Sequence, residues 1–475
     1  MKKFQFLFLL TTALLLTAAC DYYDYAGMNY LPPTYIVTPA HESTIPIDVA
    51  ADFFSQMDAI WDEDDGDLWG FHLGVPFMFA DPISRHVVAN TPDLYGYFWR
   101  YDDVYVGILP DRVFVSHTVV DFNGLTWGMA AWGPEIDQGV VQGIEMNLLQ
   151  LMIHEAFHAV QFQRIVTCEP VSNINPEHDG EMNASSEART TLLLELNALK
   201  AALRADGDER LDAVRDALAI RAHRRYMHPI AERYENMQEI IEGLATFTEI
   251  LVFGEVEALL EFYEGLMDMM NISESTGLVG FFPYVSGGMY ALLLRDTDAD
   301  WRHDITKQTD LAALLKEAMG IDDLPPFDQL DLDRYGFAET APRQEAWVSR
   351  FQELRQGAFD FVAGPAIKLP GINHIEAGIN VEVFWVPSEV DAWRDYLVFF
   401  GELVYVSAGW RLEVIGGYVR PEWYPNPGVL VAMYEEIEVS EDRMRAMAPT
   451  WILEIIDDAY MIEALENGGI EIARR

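Results

Sequence analysis

Lysine is scarce in this 475-residue chain, and positive charge as a whole is far outnumbered. Lys and Arg together number 31 against 77 Asp and Glu, which gives a formal net charge of −46. No basic stripe interrupts this acidity, which argues against nucleic acid as a partner. An acidic, lysine-poor surface is typical both of proteins from salty environments and of proteins that simply need solubility.

Cysteine is equally scarce, since Cys20 and Cys168 are the two that the chain contains. Two cysteines exclude a disulfide-stapled scaffold and a four-cysteine zinc ribbon, although a single bridge between them is formally possible. Any metal must therefore be bound by histidine and carboxylate. What the chain does have is apolar side chains: 50% of its residues are hydrophobic, enough to bury a large core.

The first nineteen residues have the layout of a secretory signal peptide. Lys2 and Lys3 precede an apolar run from Phe4 to Leu16, and small residues follow. The run is shorter than the roughly 20 residues that a membrane span needs. The sequence therefore predicts export, with residues 1–19 as the signal peptide.

Cys20 lies where bacterial lipoproteins carry their modified cysteine. The Ala-Ala-Cys that ends the leader resembles the lipobox, although Thr17 stands where that motif usually has Leu. The resemblance implies that Cys20 becomes the lipidated first residue of a protein in the bacterial cell envelope, held at the membrane through this lipid alone. Ordinary cleavage after Ala19, with Cys20 as an unmodified thiol, is the alternative.

The pattern of hydrophobic residues changes along the chain and predicts an α+β fold. Alternating strand-like segments come first, with Asn123-Gly124 as a hairpin turn. A long stretch with helical periodicity follows, and then runs of β-branched and aromatic residues. The predicted parts are a tether over 20–45, a strand-rich N-terminal part of the catalytic unit over 46–138, a mainly helical catalytic domain over 139–357 and a β-rich C-terminal domain over 358–475.

Helical periodicity also places individual elements. A polar, turn-rich loop over 167–183 is expected to be exposed, and a short helix is expected at 440–447. The other predicted helices cover 140–164, 184–205, 209–226, 229–253, 255–270, 282–295, 308–319 and 342–357.

The most informative motif is His154-Glu155-Ala-Phe-His158. Residues four apart lie on one face of a helix, so both imidazoles can reach one metal ion while Glu155 polarises a water molecule. With 11 His and 77 acidic residues, roughly 0.04 such matches are expected by chance in the whole chain. The motif predicts a zinc site with His154 and His158 as ligands and Glu155 as the catalytic base.

Other histidines are weaker candidates for a metal site. His178 lies in the polar loop, where a solvated side chain is the expected state. His223 and His228 lie among Arg and Tyr at a helix end, where cationic side chains are favourable.

A third ligand is expected downstream, because a catalytic zinc needs three protein ligands and one open position. Glu242-Gly-Leu-Ala-Thr-Phe-Thr-Glu249 resembles the second zinc motif of gluzincins, the thermolysin and aminopeptidase N group. The resemblance implies Glu242 as the ligand and Glu249 as an acidic residue supporting the site. Glu242 lies much farther beyond the histidines than the aminopeptidase spacing implies, so an inserted helical hairpin over about 184–226 must fill the gap. Glu187, Glu195 and Glu239 are rival ligands.

A further segment resembles the same group. Phe282-Pro283-Tyr284 opens a predicted helix much as the Pro-Tyr-Glu-Lys-Gly segment of the aminopeptidases does, although Val285 and Ser286 replace its charged pair. The resemblance implies that the Tyr284 hydroxyl binds the oxyanion of the tetrahedral intermediate. A core tyrosine at a helix start is the alternative.

Residues 112–300 together resemble an uncharacterised family of bacterial peptidase-like proteins. The shared features are His117-Thr-Val-Val-Asp121, Trp127-Gly-Met-Ala-Ala-Trp132, Glu187-Ala-Arg189 and Glu242-Gly-Leu-Ala.

These observations predict a secreted, lipid-anchored, zinc-dependent metallopeptidase of gluzincin type that acts on a peptide or protein. The strand ending in Trp127–Trp132 is the candidate edge that pairs with an extended substrate. Endo- and exopeptidase activity both stay open. The alternative is a non-catalytic envelope lipoprotein that binds protein or glycan on a peptidase-like scaffold, with tryptophans such as Trp385 and Trp410 in the C-terminal part as its binding surface.

Overall fold

The computed structural model describes most of the chain from residue 44 to residue 474. The predicted signal peptide, Cys20, most of the tether, Cys168 and the predicted helix over 255–270 lie outside the described residues. Within 44–474, the segments left out are 83, 111–112, 114, 134–139, 142–143, 146–147, 166–174, 254–271, 298, 304, 371–373, 387–395, 407–409, 423–427, 433–436, 458 and 466–469.

An amphipathic helix begins the described part. Helix α1 spans Ile47–Asp64, and its buried residues Ala50, Phe54, Met57 and Trp61 recur every three or four positions on one face. The strand-rich N-terminal part thus begins with a helix, and the apolar residues of this first segment have a helical period.

A six-stranded sheet follows α1. The predicted Asn123-Gly124 hairpin is confirmed, since both residues have positive φ and join two antiparallel strands. The strands are β1 (Phe77–Ala80), β2 (His86–Ala89), β3 (Trp99–Tyr101), β4 (Val104–Ile108), β5 (Thr118–Phe122) and β6 (Leu125–Ala131). Their spatial order is β3-β4-β2-β1-β6-β5, with β1 and β6 parallel and the other neighbours antiparallel.

Helix α2 (Leu148–Val160) packs on this sheet against β5 and β6. The approach is close at Gly128, where an added Cβ would stand 3.2 Å from the Ala156 Cα. The helix does not begin at residue 140 as predicted, because two short strands precede it. These strands are β7 (Val140–Val141) and β8 (Ile144–Glu145).

Two π-helical turns interrupt the helical part. One, Gln161–Ile165, continues α2, and the other, Glu239–Gly243, joins two helices end to end. The helices are α3 (Pro176–Asn183), α4 (Ser186–Arg204), α5 (Gly207–Met227), α6 (Pro229–Gln238), α7 (Leu244–Phe253), α8 (Gly277–Arg295), α9 (Leu311–Ala318) and α10 (Phe337–Ala363), with 3₁₀ turns at Ile272–Glu274, Phe327–Gln329 and Leu332–Tyr335.

Helix α8 is both long and apolar. It begins at Gly277 rather than at 282, so Tyr284 lies in its second turn and not at its start as predicted. Among the described residues it is the one helix long and apolar enough to cross a membrane, and 89% of its apolar window is buried inside the protein.

A C-terminal sheet region completes the fold, as predicted. The helix expected at 440–447 is wrong, because Arg445–Ala448 pairs as a strand with its neighbours. The strands are β9 (Ala366–Pro370), β10 (His374–Val386), β11 (Tyr396–Val406), β12 (Trp410–Glu422), β13 (Gly428–Ala432), β14 (Glu438–Val439), β15 (Arg445–Ala448), β16 (Trp451–Ile455), β17 (Tyr460–Ala464) and β18 (Ile470–Arg474). Strands β9–β16 form one eight-stranded sheet and β17 pairs with β18. The protein is therefore a mixed helix and strand fold.

The C-terminal sheet contacts the helices through a small apolar core and a buried carboxylate. Trp347 and Phe351 of α10 pack with Phe384 of β10. Glu382 of β10 accepts a hydrogen bond of 2.7 Å from the backbone N–H of Thr276, directly before α8. The sheet thus stabilises the start of the helix that carries Tyr284.

Candidate metal centre

Three side-chain atoms from two distant segments converge beside the sheet. His154 and His158 are one turn apart on α2, and their Nε2 atoms are 3.1 Å apart. Glu242 comes from the π-helical turn after α6, and its Oε2 lies 3.2 Å from His158 Nε2 and 3.5 Å from His154 Nε2. Among the described residues, these three form the one group of His, Cys, Asp or Glu side chains spaced to hold a metal ion.

The size of this triangle fits a small divalent cation. In a tetrahedral site with bonds of about 2.0–2.1 Å, two ligand atoms lie about 3.3–3.4 Å apart. The three observed separations bracket that value. Two imidazoles and one carboxylate are also a donor set suited to zinc with one coordination position left open. The residues present therefore fit a zinc ion.

The segment carrying Glu242 reaches α2 because α7 packs against both α2 and α8, and the π-helical turn before α7 packs against α8. At Gly243 and Gly287 the backbones of the turn and of α8 touch: an added Cβ on Gly243 would stand 2.5 Å from the Gly287 Cα. Any larger side chain at either position would push the two helices apart. Glu242 itself is 4% exposed, so its carboxylate faces the histidines and not solvent.

No family model, curated protein or solved structure matches this chain.

Each imidazole is oriented from behind by an oxygen acceptor. His154 Nδ1 donates to Glu249 Oε2 at 3.0 Å, and Gln150 donates to the other oxygen of Glu249 at 3.2 Å. His158 Nδ1 donates to Gln161 Oε1 at 3.1 Å. A proton fixed on Nδ1 leaves the Nε2 lone pair available for a metal. The structure thus places Glu249 where the sequence predicts a supporting acid.

Gln161 was not predicted from the sequence. It follows His158 by three residues, which places both on one face of the helix, and that spacing is the signal that could have identified it.

The buried carboxylates and imidazoles shift one another's protonation. Burial lowers the pKa of His154, but hydrogen bonds to Glu242 and Glu249 raise it by more, so it lies well above its ordinary value. Burial raises the pKa of Glu242, yet His158 and His154 lower it by more. The cluster therefore pairs ionised carboxylate with protonated imidazole, and a divalent cation can replace a proton among the three atoms.

Glu155 lies beside this group without belonging to the triangle. It is 5% exposed, and burial raises its pKa to about 7, with the imidazoles of His158 and His154 opposing that rise. A carboxyl group with this pKa can both accept and return a proton near neutral pH.

Tyr284 packs beside the ring of His154. The two rings are nearly parallel, with an interplanar angle of 9° and centroids 6.1 Å apart. Phe281 also stacks with Tyr284, at 6.2 Å between ring centroids. The structure thus brings Tyr284, from within α8, next to one of the two candidate ligand histidines.

The rival carboxylates have other partners. Glu239 binds Arg221 through both oxygens, at 2.7 and 2.6 Å, and Glu195 binds the same guanidinium at 3.0 Å. Glu187 accepts from His223 at 2.8 Å. The sequence left these three open as ligands, and the structure brings none of them into the metal-sized group.

The three other candidate histidines also lie apart from that group. His178 was expected to be solvated in a loop, which is wrong: it lies in α3, is 5% exposed and binds Asp179 Oδ1 at 2.9 Å. His228, like His223, pairs with a carboxylate, here Glu181 at 2.8 Å.

The prediction that the strand containing Trp127 is an edge strand, free to pair with a substrate, is wrong. Strand β6, which contains Trp127, is interior, since β1 pairs with one side of it and β5 with the other. The edge strands of the described sheet are β3 and β5. The hairpin turn at Asn123-Gly124 joins β6 to β5, which is the last strand on that side of the sheet. Strand β5 also contacts α2.

Proposed function

We propose that this protein is a zinc-dependent metallopeptidase of gluzincin type. The observation that carries the proposal is the convergence of His154 Nε2, His158 Nε2 and Glu242 Oε2 to 3.1–3.5 Å from one another. Two of these residues belong to a His-Glu-x-x-His helix, and the third belongs to a separate helical segment much farther along the chain.

The residues around the triangle suit amide hydrolysis. When bound, zinc would supply Lewis acidity, which makes water easier to deprotonate near neutral pH. Glu155 takes a proton from the attacking water and passes it to the leaving amine. The hydroxyl of Tyr284 donates to the oxyanion that develops on the scissile carbonyl.

An extended substrate would bind along strand β5. This strand is at the sheet edge and contacts the helix of the histidines, so a peptide paired with it would run past the metal centre. The backbone of a peptide bound in this way can be recognised whatever its side chains are.

The leader sequence supports export and lipid anchoring at Cys20. Replacing this cysteine by Ser should abolish lipid labelling and release the protein from membranes into the soluble fraction. Unchanged membrane association of Cys20→Ser would contradict a lipid anchor.

Glu155→Gln tests the proposed function. The substitution keeps the size of the side chain but removes the base, so we expect zinc content to stay at the wild-type level while cleavage of a denatured protein substrate falls by at least about 10²-fold. Glu187→Gln is the matched control, since Glu187 pairs with His223 away from the triangle. If Glu155→Gln cleaves as fast as this control, the proposal fails even where zinc is bound.

A further inference from the structure

Gln161 contacts both segments that supply the metal-binding atoms. Its side chain is fully buried at the start of the π-helical turn that continues α2. The Oε1 atom lies 3.1 Å from His158 Nδ1. The Nε2 atom donates to the backbone carbonyls of Ile240 and Ile241, at 2.7 and 3.0 Å. Glu242 is the next residue in the chain.

The two carbonyls determine how the Gln161 amide is oriented. A backbone carbonyl can only accept a hydrogen bond, so the amide must present its NH₂ group to Ile240 and Ile241. The carbonyl oxygen of Gln161 then faces His158, and the imidazole must donate from Nδ1. Through this chain of donors and acceptors, the segment that carries Glu242 fixes the tautomer of His158.

Gln161 thus donates to the π-helical turn Glu239–Gly243 itself. A π turn shifts backbone hydrogen bonding from i→i+4 to i→i+5, which changes how the carbonyls of the turn are satisfied. Gln161 donates to two of these carbonyls from the side of α2. Arg221 of α5 binds the carboxylate of Glu239 in the same turn. The backbone before Glu242 is therefore held by two buried side chains from different helical segments.

We propose that Gln161 is a positioning residue that holds His158 and Glu242 in register for a divalent cation. The proposal rests on the metal site of the proposed function, and it does not depend on peptide hydrolysis. Removing the amide frees the His158 tautomer and releases the turn that carries Glu242. Partners of this kind behind metal ligands typically contribute about 10–100-fold to metal affinity.

The test compares Gln161→Met with Gln344→Met in the full chain. Gln344 is a close structural match, because it is also buried and its amide bridges Arg189 Nε at 2.7 Å and the Ser273 carbonyl at 2.8 Å, away from the metal centre. The probe is Zn²⁺ alone, titrated against a competing chelator. The melting temperature of each metal-free variant is recorded beside its zinc affinity.

We expect both Met variants to melt earlier without metal, and Gln161→Met alone to bind zinc about 10–100-fold more weakly than wild type. Equal zinc affinities for wild type and Gln161→Met would overturn the proposal. An equal loss of zinc affinity in Gln161→Met and Gln344→Met would also overturn it, because the role of Gln161 would then be structural only. If wild type binds no zinc, the proposed function itself fails.

A measurement on wild type keeps the test independent of whether the variant folds. In protein labelled with ¹⁵N-histidine and loaded with zinc, His158 should carry its proton on Nδ1 and bind the metal through Nε2. Metal bound to Nδ1 of His158 would contradict the role of Gln161.

Discussion

Glu239 and Glu242 lie three residues apart on one π-helical turn, and both are buried, yet their partners differ in kind. Glu239 binds the guanidinium of Arg221, a group that keeps its charge at any ordinary pH. Glu242 faces the Nε2 atoms of His154 and His158, which are neutral-donor metal ligands in many proteins. The first carboxylate is paired with a cation from within the protein, whereas the second is the proposed ligand of a metal ion.

The cluster around Glu239 is a closed network of buried charge. Arg221 and Arg224 of α5 both bind Glu195 of α4, at 3.0 and 2.6 Å, and Arg224 also binds Glu235 at 2.7 Å. These carboxylates and guanidiniums are at most 3% exposed. Helices α4 and α5 therefore help to support the turn that carries Glu242. They account for much of the long separation in sequence between the two halves of the candidate metal centre.

Replacing Glu by Gln should have opposite effects on zinc binding at Glu242 and at Glu239. Glu242→Gln should weaken zinc binding by more than roughly 100-fold, which is the upper end of the loss when only a hydrogen-bond partner of a metal ligand is removed. Peptide cleavage should fall with zinc binding. Glu239→Gln should retain one zinc per chain, but it should unfold at lower denaturant concentration because Arg221 loses its charged partner. Zinc content after dialysis and urea unfolding of each variant check this pair. Retention of tight zinc binding by Glu242→Gln would remove Glu242 from the site.

Arg221→Met should have the next largest effect. The substitution leaves Glu239 and Glu195 buried without this cation, so we expect the free energy of unfolding to fall by about 3–5 kcal/mol. Arg215→Met on the same helix is the control, since Arg215 is 40% exposed and its ion pair with Asp212 is long, at 3.7 Å. Its loss should cost less than about 1 kcal/mol. Similar losses in the two variants, measured by urea unfolding of the metal-free proteins, would argue against a closed charge network.

Gly287→Ala should have a smaller effect, on both the ion pairs around Glu239 and the candidate metal centre around Glu242. The new Cβ would stand 2.8 Å from the Glu239 carbonyl oxygen and from the Gly243 Cα, so α8 must move away from the π-helical turn. We expect a loss of about 1–3 kcal/mol in stability together with weaker zinc binding. Gly180→Ala in α3, where an added Cβ meets nothing within 4 Å, should instead stabilise the protein by up to about 1 kcal/mol, because Ala favours a helix more than Gly does. A neutral result at Gly287 would show that the helices can separate without cost.

The sequence predicted the parts of the site that depend on local spacing. The interval between His154 and His158 requires only a helix, and that interval is visible in one segment of the sequence. Glu242 was reached through a resemblance in its flanking residues, because a contact between segments so far apart in the chain leaves no periodic signal. Tyr284 was reached in the same way, and its place within α8 rather than at the helix start was missed.

What the sequence did not reveal depends on contacts between distant segments. Neither the tautomer of His158 nor the partners of Glu195 and Glu239 can be inferred from local patterns, since each requires knowing which helices meet. The edge assignment failed for the same reason: the alternation of Leu125–Ala131 predicts a strand, but strand order decides that β1 and β5 enclose it. The short strand at Arg445–Ala448 was mistaken for a helix because so short a segment cannot distinguish the two periods.

The most direct test of the account is to locate zinc in crystals of the zinc-loaded full chain by anomalous scattering at the zinc edge. We expect one zinc per chain, bound by Nε2 of His154 and of His158 at about 2.0–2.1 Å and by a carboxylate oxygen of Glu242 at about 2.0–2.2 Å. A triangle without zinc, or a zinc bound by Glu187 or Glu195 while Glu242 faces solvent, would contradict it.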